Sequence, residues 1–156
     1  MIMPKLSELL SANSNSVNVT SYSIAPGDVF KVFDNRTTPP KIKYHIVVGI
    51  SEERILLGTV RINSNININV YRDQASQYRC IKMKAEKYDF LEHDSTIDCN
   101  HLITHNLKDI KTYINSHPDV ILGDITTEDL EDIKLRMLDA PTITEEDKEI
   151  FGISLN

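Results

Sequence analysis

Pro26-Gly27-Asp28-Val29-Phe30-Lys31-Val32, followed by Lys41-Ile42-Lys43-Tyr44-His45-Ile46-Val47-Val48-Gly49, decides how this chain is read. Pro-Gly is a turn pair, and the apolar and β-branched residues after it have strand composition. The loop Asn35-Arg36-Thr37-Thr38-Pro39-Pro40 contains two adjacent prolines, which remove two backbone donors and separate the first strand from the second. Ser51-Glu52-Glu53 then makes a tight connection to another apolar run, so the second and third strands are expected to pair antiparallel. That register sets Lys43 at the end of the pair far from the turn.

Outward from this core the strand pattern continues. Strands are predicted over Asp28–Phe33, Ile42–Ile50, Arg54–Ile62, Ile66–Arg72, Cys80–Met83 and Tyr88–Leu91, with a further piece at Thr96–Asp98. The Asn/Ile alternation from Asn63 to Val70 has the period of two that sends apolar and polar side chains to opposite faces. After residue 100 the period becomes helical. Asn106 with Asp109, Thr126 with Asp129, and Thr144 with Asp147 each place a small polar cap three residues before a carboxylate. Leu107, Ile110 and Ile114 share one helix face, and Leu130, Ile133, Met137 and Leu138 share another. The expected class is mainly β within α+β, with C-terminal helices packed on the strands. Residues 1–25, polar after Leu10, form a flexible N-terminal arm on this reading, and 26–156 form the one folded domain.

At 156 residues the chain suits a single core without disulfide or metal. Cys80 and Cys99 have no zinc-like spacing and are read as ordinary reduced thiols. No apolar run approaches the ~18 residues that cross a bilayer. The N-terminus leads into Ser and Asn rather than a signal-peptide core, so a cytoplasmic protein with no membrane partner is expected. The net charge of −6 hides an asymmetry: residues 36–87 carry ten Lys/Arg and four Asp/Glu, whereas residues 113–156 carry three and eleven. A basic middle suits a phosphate backbone, although charges on the solvated faces of alternating strands produce the same count. Neither glycine signature of a nucleotide-phosphate loop is present.

The Gly27-Asp28-Val29-Phe30-Lys31-Val32 opening, with basic residues just before the second strand, resembles the MazF/PemK (Kid-like) toxin family of type II toxin-antitoxin systems. The resemblance covers roughly residues 26–138. It implies a small SH3-like β-barrel and a metal-independent endoribonuclease. Single-stranded RNA would be cut by attack of the ribose 2′-oxygen on the adjacent phosphate, leaving a 2′,3′-cyclic phosphate and a 5′-hydroxyl. It also implies a homodimer and a small antitoxin, and no cofactor. The family arginine maps nearest to Lys43 and the family Ser/Thr to Ser64, making these the catalytic candidates. Lys41, His45, Arg61 and Asn63 are the RNA-binding candidates. Physically, the reaction needs a group to take the 2′-OH proton and cations to stabilise the phosphorane. Lysine in place of arginine removes a bidentate grip on phosphate, which favours the alternative of a non-catalytic RNA- or protein-binding module on the same fold. Each candidate also has a plainer role: Lys43 as a solvated edge charge, Ser64 as a turn former, His45 as a half-exposed strand residue, and Arg61 as a partner of Glu52 or Glu53. The dense stretch Glu92-His93-Asp94-Ser95-Thr96-Ile97-Asp98-Cys99-Asn100-His101 matches no standard ligand spacing and is read as structural.

Overall fold

Gly27 starts the fold. Its φ of +99° is open to glycine and strained for other residues, and its N–H donates to the Val47 carbonyl at 2.7 Å, fixing the chain across the second strand. The computed structural model describes residues 23–34, 41–64 and 71–154. The strands are β1 (Asp28–Asp34), β2 (Lys41–Ile50), β3 (Leu56–Asn63), β4 (Cys80–Met83), β5 (Ser95–Asn106) and β6 (Ile121–Asp124). The helices are α1 (Gln74–Tyr78), α2 (Leu107–Ser116), α3 (Thr127–Met137) and α4 (Glu145–Ile150). The six strands form one antiparallel sheet in the order β4-β5-β3-β2-β1-β6, curled into a half-barrel.

Both faces of the sheet's centre are covered, because alternate residues of β2 and β3 feed two cores. Ile46, Val48, Val60 and Ile62 meet Ile133 and Met137 of α3 and Phe151 beyond α4 on one side. Phe30, Val47 and Leu57 meet Leu107, Ile110 and Ile114 of α2 on the other. Each of these helices opens as the sequence predicts. The side chains of Asn106, Thr126 and Thr144 accept from the N–H groups of Asp109, Asp129 and Asp147 at 3.1, 3.2 and 3.1 Å.

Several expectations are corrected. Residues 100–106 are strand, not the start of a helical region: β5 runs twelve residues from Ser95 to Asn106 before its last residue caps α2. Tyr88–Leu91 is a turn, where the buried Tyr88 and Leu91 made a strand-like signal. The short β6 was not anticipated; it adds to β1 behind Pro118. Most of the predicted strand Ile66–Arg72 lies outside the described residues, as does nearly all of the N-terminal arm. Ile24, assigned to that arm, is buried beside Phe30 and Val47.

Candidate functional site

The far end of the β2–β3 pair opens into a surface cleft of about 190 Å³. Its walls are Ile42, Lys43 and Tyr44 from β2, Ile62 and Ser64 from the end of β3, and Leu91, Glu92, His93 and Ser95 from the segment entering β5. Register explains the convergence. Tyr44 pairs with Ile62, while Ile62 and Asn63 pair with Ile97 and Thr96, so the start of β5 lies beside the end of β3. Three segments distant in sequence therefore share one opening.

Lys43 and Ser64, the two catalytic candidates, both line this cleft. The Lys43 ammonium donates to Asn63 Oδ1 at 3.3 Å, which brings a third candidate to its edge. Lys41, exposed, begins the same strand. Glu92 and His93, both exposed, and the buried Ser95 complete the wall. Sequence reading assigned these three a structural role.

The loop that carries Glu92 and His93 is held at its base. Asp94 Oδ1 accepts from the Ala85 N–H at 2.9 Å and Oδ2 from the Lys84 ammonium at 3.4 Å. The Ala85 bond, helped by Lys84, holds the Asp94 carboxyl below the usual carboxylate range. Ser95 Oγ donates to the His93 carbonyl at 3.0 Å and lies 3.4 Å from His93 Nδ1.

His45 does not reach the cleft. It is fully buried, stacked on Phe30 with ring centroids 5.9 Å apart, and its Nδ1 lies 2.9 Å from Thr59 Oγ1 and 3.4 Å from His105 Nε2. The Thr59 hydroxyl donates to the Ile103 carbonyl at 3.3 Å. A contact from His45 to RNA is ruled out by this burial, and the half-exposed reading fails with it. Arg61 sits between His45 and Asp98 on the neighbouring strands, at the opposite end of β3 from Glu52 and Glu53, so the anticipated pairing with those glutamates does not occur.

Beyond Arg61, the Tyr71 hydroxyl donates to Asp98 Oδ2 at 2.5 Å. Partial burial and the Asp98 carboxylate push the Tyr71 phenol up. Arg79 is also structural: it is buried and donates to Asn100 Oδ1 and to Asp139 Oδ1, each at 3.3 Å, tying β4 to β5 and to the turn after α3. Both cysteines are held as thiols. Burial, and secondarily the Asp98 charge, pushes Cys80 up to about 11, and the same causes push the buried Cys99 up as well. Neither has the character of a catalytic thiolate. Among the described residues no three His, Cys, Asp or Glu side chains gather as a metal site, and no helix is long and apolar enough to cross a membrane.

The chain matches no protein-family model and no curated protein.

Proposed function

We propose that the cleft binds single-stranded RNA and cleaves it in the manner of the MazF/PemK-like endoribonucleases. The observation that carries this reading is the meeting of Lys43, Ser64 and His93 from three separate segments around one cleft of about 190 Å³. A cation, a hydroxyl donor and an imidazole are the groups that an internal phosphoryl transfer uses.

In this mechanism His93 takes the proton from the ribose 2′-hydroxyl. The 2′-oxygen forms a bond to the adjacent phosphorus and the bond from phosphorus to the 5′-oxygen breaks. The Lys43 ammonium and the Ser64 hydroxyl donate to the non-bridging oxygens as their charge grows, and Lys43 gives the proton that the leaving 5′-oxygen takes up. The products are a 2′,3′-cyclic phosphate and a 5′-hydroxyl. No step calls for a metal ion. On this reading the curled sheet is a variant of the SH3-like barrel, the chain works as a homodimer, and a small antitoxin with an acidic extended segment competes for the cleft.

Lysine at position 43 favours one other reading. Without the arginine fork, phosphate is held by a point charge already engaged with Asn63, which suits binding without cleavage. Incubation with mixed-sequence single-stranded RNA in EDTA separates the two. Cleavage leaving cyclic phosphates, lost in Lys43→Ala or Ser64→Ala, supports the nuclease. Intact RNA that is nevertheless bound, with affinity falling as salt rises, supports the binding module. Intact and unbound RNA rejects both.

A further inference from the structure

Phe33 and Ile42 sit directly opposite each other in the β1–β2 ladder and are 61% and 63% exposed, the two largest exposures among the large apolar side chains of the described residues. Directly paired residues share a face, so this is a small contiguous apolar surface rather than two scattered side chains. It adjoins the cleft, because Ile42 and Tyr44 belong to the cleft wall. The next pair on the same face is Lys31 with Tyr44, while Lys41 and Lys43, on either side of Ile42 along β2, point to the opposite face of the strand edge.

An apolar surface with Lys31 on its own face and Lys43 at the adjoining cleft has the alternation of single-stranded nucleic acid, in which an unpaired base is followed by a phosphate. We infer that Phe33 and Ile42 form a stacking platform for an unpaired nucleobase next to the phosphate held at Lys43. The inference rests on the RNA reading of the cleft and adds to it the way in which the strand is gripped. Stacking of a base on an aromatic side chain contributes about 1–3 kcal/mol and tolerates any base, since each has a π face. A second copy of the chain is a poorer occupant. Two side chains offer a few hundred Å² at most, against about 800 Å² per partner in a stable protein interface.

The chain contains no tryptophan, so Phe33→Trp creates a single indole reporter at the platform. The probes are a 2′-O-methyl oligouridine, which cannot be cleaved through its 2′-oxygen, and an abasic oligomer with the same number of phosphates. The platform predicts that the wild type binds the oligouridine roughly tenfold more tightly than the abasic strand, the equivalent of about 1.4 kcal/mol. Phe33→Ala brings that ratio close to one. Phe33→Trp preserves it, with indole fluorescence quenched by oligouridine and unchanged by the abasic strand. Lys43→Ala weakens both strands alike. An equal affinity of the wild type for both probes, or a ratio that survives in Phe33→Ala, overturns the platform and leaves the cleft reading standing. If neither probe binds, the cleft reading falls and the platform with it. A wild-type dimer that Phe33→Ala dissociates assigns the surface to a second copy and overturns the inference. Both positions are exposed, so these variants are expected to fold.

Discussion

The two ends of the β2–β3 pair, built from the same two strands, have opposite characters. At the turn end, Gly49 and Gly58 lie under Phe151: a Cβ at Gly49 would run into the Phe151 carbonyl, and one at Gly58 would come within 2.9 Å of the Phe151 ring. No side chain separates the strands from the C-terminal segment there. At the other end, within a few residues, Lys43, Asn63 and Ser64 stand around an open cleft. The closed end packs backbone against the Phe151 segment, whereas the open end sets polar side chains and exposed apolar surface around a cleft. Packing and the proposed site thus fall at different ends of one hairpin, so changes at one end should spare the other.

That separation is broken most severely at Phe151. The ring is buried against Gly58 and the α3 core, so Phe151→Ala should lower stability by about 3–5 kcal/mol in denaturant unfolding. Gly49→Ala forces the C-terminal backbone off β2 and should cost about 3 kcal/mol in the same measurement, the upper range for overpacking. If either variant unfolds at the wild-type midpoint, the closed end is not what anchors the fold.

Asp129 sharpens the contrast at intermediate scale. It accepts from the Tyr88 hydroxyl and pairs with Lys87 at 2.9 Å, at the start of α3. Partial burial opposes its ionisation, but the Tyr88 and Lys87 hydrogen bonds outweigh this and lower its carboxyl below the ordinary range. A carboxyl depressed in the folded state adds stability above its unfolded value, near 3.9, and loses it as pH falls through the folded value. Asp129→Asn should therefore cost about 1 kcal/mol at pH 7, allowing for solvent screening. The difference from wild type should shrink as the pH is lowered below about 4. A difference that stays constant with pH would mean that the ionised carboxylate contributes nothing.

The smallest effect on stability belongs to the open end. Lys43→Ala, Ser64→Ala and Phe33→Ala should each unfold within about 0.5 kcal/mol of wild type, while altering RNA binding or cleavage. A large loss of stability in any of them would assign that residue to the fold rather than to the site.

What the sequence made legible follows the locality of each signal. β1 and β2 were readable because the Pro26-Gly27 turn, the β-branched run and the double proline all act within a few residues. The three helix starts were readable because a cap and its carboxylate are three residues apart. β5 was read only in part. Its polar Asp98, Asn100 and His101 interrupt the apolar run; the first two are buried with hydrogen bonds from Tyr71 and Arg79, which come from other parts of the fold, and from the neighbouring Asn100 backbone N–H. The meeting of Lys43 with Ser64 followed from one hairpin register. Glu92 and His93 reach the same cleft through the β3–β5 pairing, which joins strands separated by β4 and leaves no mark in local spacing. His45 misled for the reverse reason. Beside two lysines it looks like a surface residue, but the sheet buries it between Phe30 and Thr59.

The most direct test of the division between the two ends is a backbone amide NMR titration of the full chain with a 2′-O-methyl oligouridine. The account predicts shift changes at Ile42–Tyr44, Ile62–Ser64 and Leu91–Ser95, saturating together, while Gly49, Gly58 and Phe151 stay fixed. Changes centred on Gly49, Gly58 and Phe151, or no changes at all, would contradict it.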